Sequence, residues 1–379
     1  MKKRLILQLS CLSLLVGSAP LFAADAPTVY GLVKKEILYI DQDSAADRRE
    51  FYGPTDVDGL ESRLGVKGAL PAGDALKAMY NFELGLNSSL DNAANGADER
   101  IRIRAANGSL GSEKIGFLTV GQALTLGIGR MLALDPFYGT SLSALGTDYV
   151  YVAGWYRTPP LAPRGAVFMN EIAYSTPIFA GLKLNVAFDN NDQTSVERTT
   201  TAERWWTTSL EYDGDFSGVK LALTGNYGNQ DKDGTIGKRE RDYWQLGSKV
   251  MVDRFSLALA YTANQSWSTV ANKKVTDNMW LGSLSFKALD ALTLAANYSI
   301  TNFDKNGSEA TGGLTGDQQE FAFGAFYAFS ENVSTHLALG FASRESKTAL
   351  GAAVLPKDTT LAKKDNDATL AVTGITMKF

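Results

Sequence analysis

The stretch DALKAMYNFELGLN, residues 74–87, decides how the chain is read. Leu76, Ala78, Tyr80, Phe82, Leu84 and Leu86 fall at every second position, with Lys77, Met79, Asn81, Glu83 and Asn87 between them. Successive side chains of a strand point to opposite faces, so this is a strand with one apolar and one polar face. The pattern recurs in GLKLNVAFDN (181–190), FSLALAYTA (255–263), LTLAANYSI (292–300) and EFAFGAFYAF (320–329).

Working outward gives sixteen such segments: 28–41, 62–70, 75–87, 99–106, 114–122, 167–176, 181–189, 204–213, 219–228, 240–250, 254–264, 278–287, 291–301, 318–328, 333–343 and 367–379. The pattern is weakest in the first, where Lys34, Lys35 and Glu36 interrupt it. Short and long connections alternate, so seven tight turns lie on one side and eight long loops on the other. The longest is 123–166, rich in Gly, Pro, Tyr and Trp and without a period of its own. A connection of that length is uncommon unless functional or disordered, and its aromatic content argues against disorder. An even count of roughly ten-residue alternating segments with one-sided long loops predicts a 16-stranded antiparallel transmembrane β-barrel. In lipid only closed barrels and helices satisfy every backbone group, and the sequence gives no sign of a helix. A soluble sandwich of sixteen one-faced strands would be unusually large. Aromatics at segment ends, such as Trp205, Trp206, Trp244 and Trp280, fit interfacial girdles. The last segment ends on an aromatic, with Ala371, Thr373, Ile375, Met377 and Phe379 sharing one face.

Residues 1–23 read as a cleavable export signal: Lys2, Lys3 and Arg4, then an apolar run of about a dozen residues, then small residues at Ala23–Ala24. That leaves 24–379 as a single barrel domain. Losing three cations takes the formal charge from -4 to -7 and removes Cys11, the only cysteine. Thiol nucleophiles and Cys-based metal sites are thereby excluded, and the negative charge disfavours nucleic-acid binding. The only histidine is His336, in an Ala/Leu/Gly strand with its side chain inward by parity. No G-x-S-x-G, H-E-x-x-H or phosphate-binding glycine loop is present, so no enzymatic activity, cofactor or metal is expected. The acidic pairs Asp231/Asp233 and Asp365/Asp367 read as solvated turns.

Four stretches carry a resemblance to the Gram-negative general porins of β-proteobacterial and neisserial type. They are Thr28-Val29-Tyr30-Gly31; Ser62-Arg63-Leu64-Gly65-Val66-Lys67-Gly68 leading to Phe82-Glu83; Asn170-Glu171-Ile172-Ala173-Tyr174-Ser175-Thr176-Pro177 with Phe179-Ala180-Gly181-Leu182; and the terminal Lys378-Phe379. The resemblance spans the mature chain and implies a homotrimer in the outer membrane among lipid and lipopolysaccharide. It also implies a water-filled pore for ions and small hydrophilic solutes, with the third long loop, here 123–166, folded into the lumen. The second long loop, 88–98, resembles the family's latch onto a neighbour. One departure stands out: the family's Gly-Arg-Gln before the third loop is Gly121-Gln122-Ala123 here.

Pore size and lining charge set channel selectivity. Parity turns Arg63 and Lys67 inward, because Leu64, Val66 and Leu70 take the lipid side. It likewise makes an inward column of Arg100, Arg102 and Arg104, with Ile101, Ile103 and Ala105 toward lipid. An arginine at the lipid midplane costs about 2–4 kcal/mol, so three on that face would be prohibitive. Asp135 and Asp148 in the long loop are the candidate opposing acids, beside Arg130, Arg157 and Arg164. Such arginines could equally hold the loop down. The loop aromatics, among them Phe137, Tyr138 and Trp155, either pack it against the wall or form a stacking surface for a particular solute. The expectation is a passive diffusion channel preferring anions. The alternatives are a substrate-selective channel of the same fold and a non-conducting structural or adhesive barrel.

Overall fold

A computed structural model of the chain describes residues 26–43, 48–55, 62–86, 101–145, 168–191, 203–232, 241–268, 273–304, 314–348 and 366–379. The alternating segments form one antiparallel sheet closed on itself. Its first half comprises β1 (Thr28–Asp43), β2 (Arg48–Thr55), β3 (Ser62–Ala72), β4 (Leu76–Leu86), β5 (Ile101–Ser112), β6 (Gly116–Leu124), β7 (Phe168–Ser175), β8 (Leu182–Asn191) and β9 (Glu203–Phe216). Its second half comprises β10 (Val219–Lys232), β11 (Arg241–Val252), β12 (Phe255–Ser268), β13 (Lys273–Lys287), β14 (Leu292–Phe303), β15 (Leu314–Ala328), β16 (Val333–Thr348) and β17 (Asn366–Lys378). Closure comes from β17 pairing with β1, from Leu32 opposite Lys378 to Asp43 opposite Asp367.

All sixteen expected strands are present, and β2 is an addition inside the connection read as loop 42–61. It covers the Glu36–Asp43 part of β1, while β3 covers Thr28–Leu32, so the two share one place in the wall. The wall therefore has sixteen places. Gly53 and Pro54 carry a turn signal in the sequence, yet β1 offers a free ladder there, and pairing overrides local preference. Where β2 stops and β3 begins, the Ser62 hydroxyl accepts from the Lys34 amide (3.0 Å) and donates to the Lys34 carbonyl (3.2 Å). A side chain thus satisfies backbone groups at the seam, as a lipid-embedded wall requires.

Exposure tells the two faces apart. Along β12, Leu257 and Leu259 are 51% and 54% exposed, while Ala258 and Ala260 are 3% exposed. The large exposed apolar side chains among the described residues mark the outward face, and buried polar residues line the other side. The parity of β5 needs one correction. Glu83 pairs with Ala105 and Leu84 with Ile103, so Arg104 is an extra residue in the ladder. Such a bulge turns both of its residues to one side. Arg104 and Ala105 are both buried, and Ala105 faces inward rather than toward lipid.

The chain end seals the wall. Gly31 and Phe379 exchange backbone hydrogen bonds of 2.9 and 3.2 Å. The Phe379 ring lies over Gly31 so closely that a Cβ there would meet Cζ at 2.2 Å. Contrary to the helix-free expectation, the described residues include one short helix, α1 (Ile128–Leu132), in the long connection after β6. Its N-cap, Gly127, has φ 75° and sits where a Cβ would lie 1.9 Å from Asn226 Oδ1, so only glycine fits.

Candidate functional site

The inner wall is not uniformly polar. From β12 round to β1 it carries Ala258, Ala260, Met279, Leu281, Ala295, Ala322, Ala338, Ala342, Ala368, Leu370, Val372, Leu38 and Ile40, all buried. Facing water, such a surface would lose the benefit of burial. Residues 125–145 cover it. Ile128, Met131, Leu132, Leu134, Ala144 and Leu145 pack on Ala258, Ala260, Met279 and Leu281. Phe137 and Leu142 pack on the β14–β17 and β1 set, with Phe137 edge-on to Phe326 at 5.6 Å.

Polar contacts follow the same path round the wall. Arg130 donates from Nε to Glu211 (3.2 Å) and through both terminal nitrogens to Asp213 (2.9 and 2.5 Å) on β9. Lys249 on β11 donates to the Ala133 carbonyl at 3.2 Å, and Ser283 on β13 to the Leu134 carbonyl at 2.6 Å. Ser141 donates from its amide (3.0 Å) and hydroxyl (2.7 Å) to Glu36 on β1. The other oxygen of Glu36 lies 3.2 Å from Lys34 Nζ and 2.9 Å from His336 Nε2. Gly247 and Gly340 leave room for this packing: a Cβ at either would lie 2.3 Å from Leu134 or 2.6 Å from Leu142.

Asp135 is 3% exposed and accepts four hydrogen bonds. They come from the Phe137 amide (2.9 Å), the Ser143 hydroxyl (2.9 Å), the Leu145 amide (3.1 Å) and the Asn297 side-chain amide (3.0 Å). Its carboxylate shapes the segment and pins it to β14. Asp148 and Arg100 lie outside the described residues, as do Arg157 and Arg164.

The basic residues gather on β3–β5. Arg63, Lys67 and Arg102 stand opposite Gly85, Asn81 and Gly85 respectively, on the side that Glu83 also faces. Glu83 organises them: Arg104 Nε lies 2.7 Å from it, Arg63 Nε 3.6 Å, and the Tyr30 hydroxyl donates to it at 3.0 Å. Lys67 sits 5.1 Å above the Tyr30 ring, within cation–π range. Arg104 is buried, whereas Arg63 keeps 24% of its side chain exposed and Lys67 and Arg102 are exposed. Gln122 pairs with Ala106 on the outward side and donates to the Ile103 carbonyl at 2.7 Å, so the departure from Gly-Arg-Gln removes no charge from the inner wall.

The acidic run on β9 carries a signal in the sequence itself. In SLEYDGDF, Leu210, Tyr212, Gly214 and Phe216 alternate with Glu211, Asp213 and Asp215, which parity turns inward. The Lys34–Glu36–His336 cluster is likewise a feature that only the assembled β1, β16 and β17 bring together.

Comparison with known proteins gives four findings. Residues 10–347 match a family model described as Gram-negative porin. An outer membrane porin protein of Bordetella pertussis is 26% identical over 329 residues, covering 80% of this chain and 77% of that one. Among solved structures, an anion-selective porin from Comamonas acidovorans superposes with a TM-score of 0.68 at 17% identity, covering 93% and 99% of the two chains. The in-vitro folded trimer form of OmpT, an outer membrane protein of Vibrio cholerae, gives 0.60 at 13% identity over 94% and 100%.

Proposed function

This chain belongs to the Gram-negative porin family and forms a passive channel of the outer membrane; from that premise we propose that residues 125–145 are a ledge that narrows the lumen and that the basic β3–β5 wall beside it makes the channel prefer anions. The observation that supports this reading is the course of the contacts. The ledge occupies the inner face from β9 round to β1 and leaves the arc of Arg63, Lys67 and Arg102 facing pore water. Arg104 backs that arc from its buried place on Glu83, and Arg100 and Asp148 stay the candidate further cation and opposing acid. Fixed cations along a narrowed aqueous path raise the local anion concentration, and this sets permeability without a binding step. Aromatic residues of the described ledge support packing over solute stacking, since Phe137 is 0% exposed. Residues 1–23 act as the export signal, and the functional unit is a homotrimer, as the trimer form of the Vibrio cholerae relative suggests.

Planar-bilayer recording in a salt gradient tests the reading. Stepwise openings with an anion-directed reversal potential are expected. Replacing Arg63, Lys67 and Arg102 together by alanine should move that potential toward cations. A cation-preferring wild type, or a triple variant indistinguishable from it, refutes the assignment of the basic wall.

A further inference from the structure

Arg130 is the one cation of the ledge, residues 125–145, and it stays partly exposed. Its side chain is 41% exposed and lies against Glu211 and Asp213, whose side chains are 11% and 55% exposed. Both carboxylates belong to the inward acidic run Glu211, Asp213 and Asp215 of β9. Asp213 holds Arg130 by two parallel hydrogen bonds, a geometry that fixes the guanidinium and makes it a reliable counter-charge. Asn185 shares Glu211 at 3.3 Å, and Lys183 stands opposite it in the ladder. Lys220 stands opposite Asp215, which accepts from the Gly218 amide at 3.0 Å. Lys183 and Lys220 thus flank the acidic run in the ladder, and Arg130 is the cation that the ledge adds to it.

We propose that Arg130 determines ion selectivity by masking the β9 carboxylates, so that anions meet an acidic strip partly neutralised from inside the lumen. The proposal rests on the channel reading above. It differs from simple anchoring in its sign. Arg130→Ala and Asp213→Asn break the same contact, so an anchor predicts changes in the same direction. Masking predicts opposite shifts. Losing Arg130 uncovers negative charge and favours cations, whereas losing Asp213 frees positive charge and favours anions. A unit charge about 7 Å from the ion path in water, screened about twofold by salt near 0.1 M, raises one ion and lowers the other and so changes the anion-to-cation permeability ratio by about threefold.

The test is the reversal potential of single variants and of the double variant Arg130→Ala/Asp213→Asn in planar bilayers under a potassium chloride gradient. The single variants should shift by about threefold in opposite directions. The double variant, with a broken contact but unchanged net charge, should return close to wild type, and Arg130→Lys should stay near it. Single shifts in one direction, no shift at all, or a double variant as displaced as Arg130→Ala overturns the proposal while wild-type conductance leaves the channel reading intact. A well-folded wild type that conducts nothing overturns both.

Discussion

Replacing Asp135 separates a structural carboxylate from one that acts on permeating ions. Asp135→Ala removes the acceptor for four donors in a site that is 3% exposed. Ser143 and Asn297 reach it through side chains that can turn to other partners, whereas the amides of Phe137 and Leu145 are fixed by the backbone. Two buried donors left without acceptors, at about 2 kcal/mol each, disfavour the docked ledge by about 4 kcal/mol. At about 1.4 kcal/mol per tenfold, that raises the undocked fraction by roughly a thousandfold. Asp135→Asn keeps one carbonyl oxygen, so about half the cost and a rise of roughly thirtyfold are expected. Single-channel recording should show noisier, larger conductances in the order Ala, Asn, wild type. Limited proteolysis of the folded barrel should open cleavage at Phe137–Tyr138 in the same order. The barrel ladder does not pass through Asp135, so heat-modifiable mobility in gels should be unchanged. Wild-type conductance and protease resistance in Asp135→Ala would refute the reasoning. So would a shifted reversal potential at unchanged conductance, which would mean that the carboxylate acts on ions directly.

Two more predictions concern close approach. Gly247→Val places a side chain where a Cβ alone would lie 2.3 Å from Leu134 and 3.0 Å from Thr224. Overpacking by about 1–3 kcal/mol should loosen the ledge on β11 and raise current noise while the melting temperature of the barrel holds; a quiet channel would count against the docked geometry. Deleting Phe379 removes its paired hydrogen bonds with Gly31 and the ring that covers it, a loss of about 3 kcal/mol at the closing seam. Refolding from urea into detergent should yield fewer folded barrels on a gel-shift assay, and an undiminished yield would argue that closure depends on the earlier β1–β17 pairs alone.

The strands were legible because their two faces meet different media. Leu257 and Leu259 against Ala258 and Ala260 is a pattern with one solution, and an error of one residue would reverse every side chain along the strand. The bulge at Arg104 broke that logic, since an inserted residue is defined by its partners Glu83 and Leu84 and leaves no mark in its own strand. The docking surface had a signal that parity alone did not use. Ala258, Ala260, Ala295, Ala322, Ala338 and Ala342 are too apolar for a wall facing open water, and their smallness makes room for a second layer. Asp135 showed the limit of residue type as evidence. A carboxylate in a pore loop and a carboxylate that staples that loop read the same until its donors are located. Arg130 was visible as a loop cation, but its partners lie 81 and 83 residues further on, beyond any local pattern.

The ledge also dictates an order of assembly. Asp135 reaches Asn297 across 162 residues of chain, Leu134 reaches Ser283 across 149, and Leu142 rests against Gly340 on β16. Ser141 instead reaches back 105 residues to Glu36, on a strand whose ladder is completed only when β17 arrives. A chain delivered from its N-terminus must therefore carry residues 125–145 unseated until nearly all the rest has been delivered. Contacts of such sequence separation form late, because the intervening chain must first be ordered. On the channel reading proposed above, a barrel that closes before residues 125–145 seat is expected to conduct more than the finished one, so conductance should fall after the gel-shifted barrel has formed; a conductance that is final as soon as the barrel closes would refute this order.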